Sequence, residues 1–285
     1  MYYLLSLLAG ILISVMVAFN GGLTEQYGVY SATVIIHIAG LLFITTMAII
    51  KRERLFSGRQ AWFLYLGGAI GVMTTAFNNL AFIRISVSSI LALGLFGQSI
   101  MGLIIDQYGL LKMPRHTFKK RKILGLLLIL CGIISMTNNF DLLAVTLSFF
   151  AGVIIVISRT LNAKLAECTS IRISTFYNYL IGLLVAIPVC LLFGRSEAFF
   201  AGIVISPKIY IYIGGIIGVC VVLLSNITVM KIPAFYLSLF MFLGQVFSGI
   251  LIDMVLSQTF SPRNLTGGIF VAIGLCINLL LDRKK

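Results

Sequence analysis

Two stretches of forty residues decide how this chain is built: GGAIGVMTTAFNNLAFIRISVSSILALGLFGQSIMGLIID, Gly67 to Asp106, and GGIIGVCVVLLSNITVMKIPAFYLSLFMFLGQVFSGILID, Gly214 to Asp253. Each holds two apolar runs of about 20 residues, the length that spans a bilayer as helix, separated by a short polar break. They are copies of one pattern. Adding 147 carries Gly67, Gly68 and Gly71 onto Gly214, Gly215 and Gly218, and Asn79 onto Asn226. It also carries Arg84 onto Lys231, Gly97-Gln98 onto Gly244-Gln245, Gly102 onto Gly249 and Asp106 onto Asp253.

Outward from these stretches the likeness continues at a different offset. At 142, Gly10 meets Gly152, Asn20 meets Asn162, Glu25 meets Glu167, Thr33 meets Thr175 and Gly40 meets Gly182. The same offset returns at the end of each half, where Arg121, Gly125 and Gly132 meet Arg263, Gly267 and Gly274. Five residues have therefore been added near Arg195 and five removed near Ser257, both in predicted loops. The chain divides into a first repeat, 1–140, and a second, 141–285.

Composition agrees with a membrane fold. Of 285 residues, 60% are hydrophobic and 10% charged, against roughly 25% charged in a soluble domain. A soluble globular protein is excluded. Apolar runs and polar breaks predict helices near 3–22, 31–50, 62–82, 87–106, 123–139, 143–162, 173–193, 209–229, 234–256 and 265–281. The fold class is all-α polytopic membrane protein with ten transmembrane helices, and no stretch is left over for a soluble catalytic or binding domain. The first run, 3–22, has no basic segment before it and no small-residue cleavage pattern, so it reads as a span and not as a signal peptide. The five cysteines are scattered without C-x-x-C spacing, which indicates neither a disulfide framework nor a zinc site.

The formal charge is +13, and its distribution explains it without nucleic acid. With the N-terminus inside, one face would carry Lys51, Arg52, Arg54, Arg59, Lys112, Arg115, Lys119, Lys120, Arg121, Lys122, Lys164, Arg172, Lys231, Arg283, Lys284 and Lys285. The other would carry Arg84, Arg195, Lys208 and Arg263. This asymmetry predicts a multi-pass protein of the cell (plasma) membrane with both termini cytoplasmic.

Because each half has an odd number of helices, the second must enter the bilayer from the opposite face. Repeats inverted about an axis in the membrane plane are a signature of secondary transporters. The arrangement resembles the ten-helix members of the drug/metabolite transporter superfamily. The run from Gly67 to Leu111, with its G-Q-x(7)-D spacing in the fourth and ninth helices, is similar to the YdcZ-like family, whose short members carry one five-helix unit. The resemblance implies a fused pair, working as monomer or homodimer, with a cavity between helices one, three and four and helices six, eight and nine. It brings no substrate with it.

Polar residues inside apolar helices are the candidate site. Gln98 and Gln245 fall near the bilayer midplane, where repeat-built transporters bind solute. They either contact substrate or join each other or a neighbouring backbone as interhelical glue. Asn20, Asn78 and Asn79 fall near one set of helix ends and Asn162 and Asn226 near the other, as gates to a cavity or as helix caps. Arg159, whose counterpart is Val17, suits an anionic group. It stands close enough to a helix end to snorkel to the headgroups or to pair with Glu25, Glu167 or an aspartate. His37 could couple a proton to transport, or pack as a hydrogen-bonded histidine. Asp106 and Asp253 are expected to be solvated or paired with loop bases. Tyr2, Tyr3, Trp62, Tyr65, Tyr210 and Tyr212 are expected to form an interfacial belt.

The predicted function is secondary transport of a small neutral, zwitterionic or anionic solute by alternating access, with a proton or other ion as a coupling partner and the lipid bilayer as its medium. Helix one lacks the membrane-embedded glutamate with which small multidrug exporters of the superfamily bind cationic drugs. No G-x-x-x-x-G-K-[ST], H-E-x-x-H or nucleophile constellation is present, so neither an enzyme nor a cofactor or metal site is expected. The alternative is a membrane partner subunit or receptor that moves nothing.

Overall fold

The computed structural model describes residues 1–56, 60–116, 123–136, 141–195, 197, 205–257 and 262–283. Of the predicted basic face, Arg59, Lys119, Lys120, Arg121, Lys122, Lys284 and Lys285 lie outside the described residues, as do positions 137–139 of the fifth predicted helix. The described residues form ten α-helices: α1 (Tyr2–Tyr27), α2 (Val29–Ile50), α3 (Leu66–Phe82), α4 (Val87–Tyr108), α5 (Ile123–Met136), α6 (Leu142–Cys168), α7 (Ile171–Phe193), α8 (Gly214–Thr228), α9 (Ala234–Ser257) and α10 (Pro262–Arg283).

Among the described residues seven helical runs are long and apolar enough to cross a membrane: α1, α2, α4, α6, α7, α9 and α8 with the 3-10 turn Ile209–Ile213 that leads into it. α3 alone has 17 residues, but the 3-10 turn Trp62–Tyr65 runs straight into it. At about 2.0 Å and 1.5 Å of rise per residue the two together reach about 33 Å. α5 and α10 carry shorter apolar runs, Ile123–Gly132 and Leu265–Gly274, and pack on each other.

Two ends also differ from the sequence pattern. α1 continues to Tyr27 and α6 to Cys168, so Glu25 and Glu167 sit in the last turns of these helices and not beyond them. Polar side chains there remain exposed while the backbone stays helical, because the solvent outside the hydrocarbon tolerates them. Gly28, at φ 92°, takes the left-handed turn that lets α1 pass into α2 with no loop.

Leu4, Leu42, Leu192 and Leu251 are exposed, while Ser6, Ser14, Ser31, Ser174 and Thr175 are fully buried. Apolar outside and polar inside is the arrangement lipid demands. Without a hydrophobic force between helices, association depends on close packing and on hydrogen bonds. Gly10 in α1 lies against the Met241 carbonyl of α9, and Gly152 in α6 against the Gly94 carbonyl of α4; a Cβ at either glycine would overlap that carbonyl. The two crossings are counterparts, since Gly152 is Gly10 plus 142 and Met241 is Gly94 plus 147. The pairing recurs throughout: α1 packs on α8 and α9, and α6 on α3 and α4. α2 packs on α7, and α4 on α9.

The buried ends of α4 and α9 are held by the aspartates. Asp106, 4% exposed, accepts from the backbone N–H groups of Ala234 (3.0 Å) and Phe235 (2.9 Å) at the start of α9. Asp253 accepts from the Ser88 N–H at the start of α4, at 3.3 Å. Neither carboxylate is simply solvated: Asp106 is buried, Asp253 is half-buried, and each meets the start of a neighbouring helix. A helix N-terminus packed inside a bundle needs acceptors for its free N–H groups, and a carboxylate also meets the positive end of the helix dipole.

Carboxylates likewise close both ends of the α2/α7 pair. Glu197, from the segment after α7, accepts from the N–H groups of Tyr30 (3.1 Å) and Ser31 (2.8 Å) and from the Ser31 hydroxyl (2.7 Å) at the start of α2. At the opposite end, Glu53, after α2, is paired with Arg172 and accepts from the Ser170 hydroxyl at the start of α7.

Candidate functional site

A cavity of about 140 Å³, counted as the space open to the centre of a water molecule, lies among α1, α2, α3, α4, α6, α7, α8 and α9. Asn20, His37, Asn79, Gln98, Arg159, Asn162, Asn226 and Gln245 all line it, as does Asn78. Every predicted site residue therefore reaches the same place. Two helices not expected there, α2 and α7, contribute Ile36, His37, Asn178 and Tyr179.

The fourth helix brings Gln98 to this wall because Gly97 on α4 and Gly152 on α6 let the two helices come close. Arg159, on α6, is 8% exposed and donates from Nη1 to Gln98 Oε1 at 2.8 Å. It neither snorkels nor pairs with Glu25 or Glu167. α6 runs nine residues past it, to Cys168, about 13 Å of helix, and Glu167 is engaged by Lys164 at 3.0 Å. Among the described residues no Asp or Glu lines the cavity, and the guanidinium faces that space with Gln98 as its hydrogen-bond acceptor.

Gln98 and Gln245 do not bond to each other. Gln245, the counterpart of Gln98, is 1% exposed and its Nε2 has no hydrogen-bond partner. The halves differ here: Gln98 accepts from Arg159, whereas the position that answers to Arg159 holds Val17, which also lines the cavity. A buried amide donor left unpaired costs on the order of 1–3 kcal/mol. Such a cost is commonly retained where a ligand supplies the partner.

The asparagines are not helix caps. Asn20 and Asn162 lie about two turns inside their helices. Asn79 Nδ2 donates to Thr33 Oγ1 at 3.3 Å, and its counterpart Asn226 donates to Thr175 Oγ1, also at 3.3 Å. Asn162 Nδ2 donates to Asn178 Oδ1 at 2.7 Å, whereas the carbonyl oxygens of Asn20 and Asn226 are buried and unpartnered. His37 is 4% exposed, its Nδ1 lies 2.8 Å from the Thr33 carbonyl, and its ring sits 5.7 Å from that of Tyr179. That carbonyl makes Nδ1 the protonated nitrogen of the neutral ring, leaving Nε2 as the acceptor.

The belt is partly different too. Trp62, Tyr3 and Tyr210 are exposed, but Tyr212 bonds to the Tyr27 hydroxyl and Tyr65 stacks on Tyr177 at 4.8 Å. Sequence reasoning missed Ser158, Thr74, Thr75, Asn178 and Tyr179, which also line the cavity. The signal was available in positions where the halves disagree: Ser158 answers to Met16, Asn178 to Ile36, Thr74 to Val221 and Thr75 to Val222.

Comparison with known proteins gives the family. The family model described as "Putative inner membrane exporter, YdcZ" matches residues 1–135 and 143–277. A solved structure described as "Crystal structure of protein" superposes with a TM-score of 0.74 over 99% of each chain at 14% sequence identity, a likeness of fold. A search of the curated proteins finds no match. This all-helical chain, with its polar central cavity, therefore belongs to the YdcZ family and is a multi-pass membrane transporter.

Proposed function

We propose that the chain is a secondary transporter that carries a small solute through the central cavity by alternating access. In this reading residues 1–140 and 141–285 are two inverted five-helix units, with both termini cytoplasmic. The observation that carries it is the cavity itself. It draws Asn20, His37, Asn79 and Gln98 from one half and Arg159, Asn162, Asn226 and Gln245 from the other. A site built on the interface of two units changes its access when the units exchange conformations.

Several features support the reading. Each close helix crossing has a counterpart with the roles of the halves exchanged, so the mirror conformation would use contacts of the same kinds. The ends of α2 and α7 are clamped on both faces by Glu197 and Glu53, which makes this pair a frame against which the other helices move. Gln98, Gln245 and Arg159 would contact the solute, the asparagines would line its path, and His37, with Nε2 available beside the cavity, is the candidate for proton coupling. An ion or solute gradient drives the flux.

Thr75 and Val222 are counterparts that both line the cavity and are half-buried. In a variant without the native cysteines, Thr75→Cys and Val222→Cys are each expected to react with a membrane-impermeant thiol reagent from both sides of sealed vesicles. Labelling confined to one face at both positions would contradict alternating access.

A further inference from the structure

The two halves agree where the cavity holds Asn20 and Asn162, Asn79 and Asn226, or Gln98 and Gln245. At five other positions they disagree in one sense, while His37 on α2 answers to Tyr179 on α7. On α3, α6 and α7 the cavity is lined by Thr74, Thr75, Ser158, Arg159 and Asn178; the counterpart positions on α8, α1 and α2 are Val221, Val222, Met16, Val17 and Ile36, which line it as well. α3 packs on α6 and α7, and α8 packs on α1 and α2, so these five polar residues gather on one wall and their apolar counterparts on the other, which also carries His37. The cavity is polarised across the pseudo-symmetry axis.

We infer that the solute is an amphipathic organic monoanion, its carboxylate held by Arg159 on the polar wall and its apolar body lying along Met16, Val17 and Val222. Arg159 spends one N–H on Gln98, and its planar fork of five donors leaves enough for a bidentate carboxylate. Gln98 is the positioning residue, since its carbonyl orients the guanidinium. A buried guanidinium with no carboxylate in the cavity is expensive until an anion arrives. Among the described residues no Asp or Glu lines the cavity to partner an ammonium, which disfavours amines. The unpaired Gln245 Nε2 is a further donor. This inference rests on the central cavity being the transport route.

The test uses the full chain in nanodiscs, with binding of benzoate and hexanoate measured against benzamide, hexanamide and benzylamine. The acids are expected to bind and to raise the thermal midpoint, and the amides and amine are not. Arg159→Gln, which keeps a hydrogen-bonding group beside Gln98, should weaken acid binding at least tenfold, and Arg159→Lys should lose less. Equal binding of the amides, unchanged acid binding in Arg159→Gln, or no binding of either acid overturns the inference. Flux separates this from the transport reading. Acid binding of the expected pattern in proteoliposomes that do not move benzoate would leave the site standing and sink transport. Exchange of benzamide unaffected by Arg159→Gln would do the reverse.

Discussion

Gly152→Ala will cost the protein on the order of 3 kcal/mol, at the upper end of the usual range for overpacking, and will lower its thermal midpoint and folded yield. The added methyl overlaps the Gly94 carbonyl, a backbone group that cannot rotate away, so α4 and α6 must separate. That separation pulls Arg159 from Gln98, because both lie within about two turns of the crossing. Gly94→Ala is the control at the same crossing. Its Cβ would meet the Ser148 carbonyl oxygen at 3.6 Å and Gln98 Nε2 at 4.0 Å, ordinary contacts, and alanine is the better helix former by about 1 kcal/mol. Gly94→Ala is therefore expected to be neutral or stabilising. Equal midpoints for the two variants would mean that the crossing is looser than described.

Asp106→Ala is expected to be comparably damaging, by roughly 2–6 kcal/mol. It strands the N–H groups of Ala234 and Phe235, and each buried donor without an acceptor costs about 1–3 kcal/mol. Asp106→Asn keeps an acceptor oxygen and should lose less. At the counterpart position the effect should be smaller, since Asp253 is less buried than Asp106. Thermal midpoints of the three variants in one lipid mixture check the order. If Asp253→Ala proved the most damaging, the capping account would fail.

Much of the cavity was legible because lipid enforces a simple rule: a polar side chain within a span turns inward or pays heavily. Eight residues chosen only for being polar inside apolar helices reach one cavity. The partners were not legible. Arg159 was placed near a helix end by the apolar run, but α6 continues through Lys164 and Glu167 because polar residues outside the hydrocarbon do not break a helix. Asp106 and Asp253 were read as loop-facing for the same reason, though each reaches a neighbouring helix start that no local pattern reveals. Apart from His37, the walls from α2 and α7 were not legible because the repeat does not mark their lining residues: Ile36 answers to Asn178 and His37 to Tyr179. The unshared ones, Ser158, Asn178 and Thr75 against Met16, Ile36 and Val222, give the cavity its direction.

Pulsed electron resonance distances at the two mouths of the cavity test alternating access most directly. Ile83 and Ile209 are exposed at one end, and their counterparts Met230 and Trp62 lie at the other. Spin labels on the pairs Ile83–Ile209 and Trp62–Met230, measured in nanodiscs with and without benzoate and across pH 5 to 8, are predicted to show two populations each. As one pair lengthens the other shortens. Single distances at both mouths, unchanged under every one of these conditions, would contradict the account.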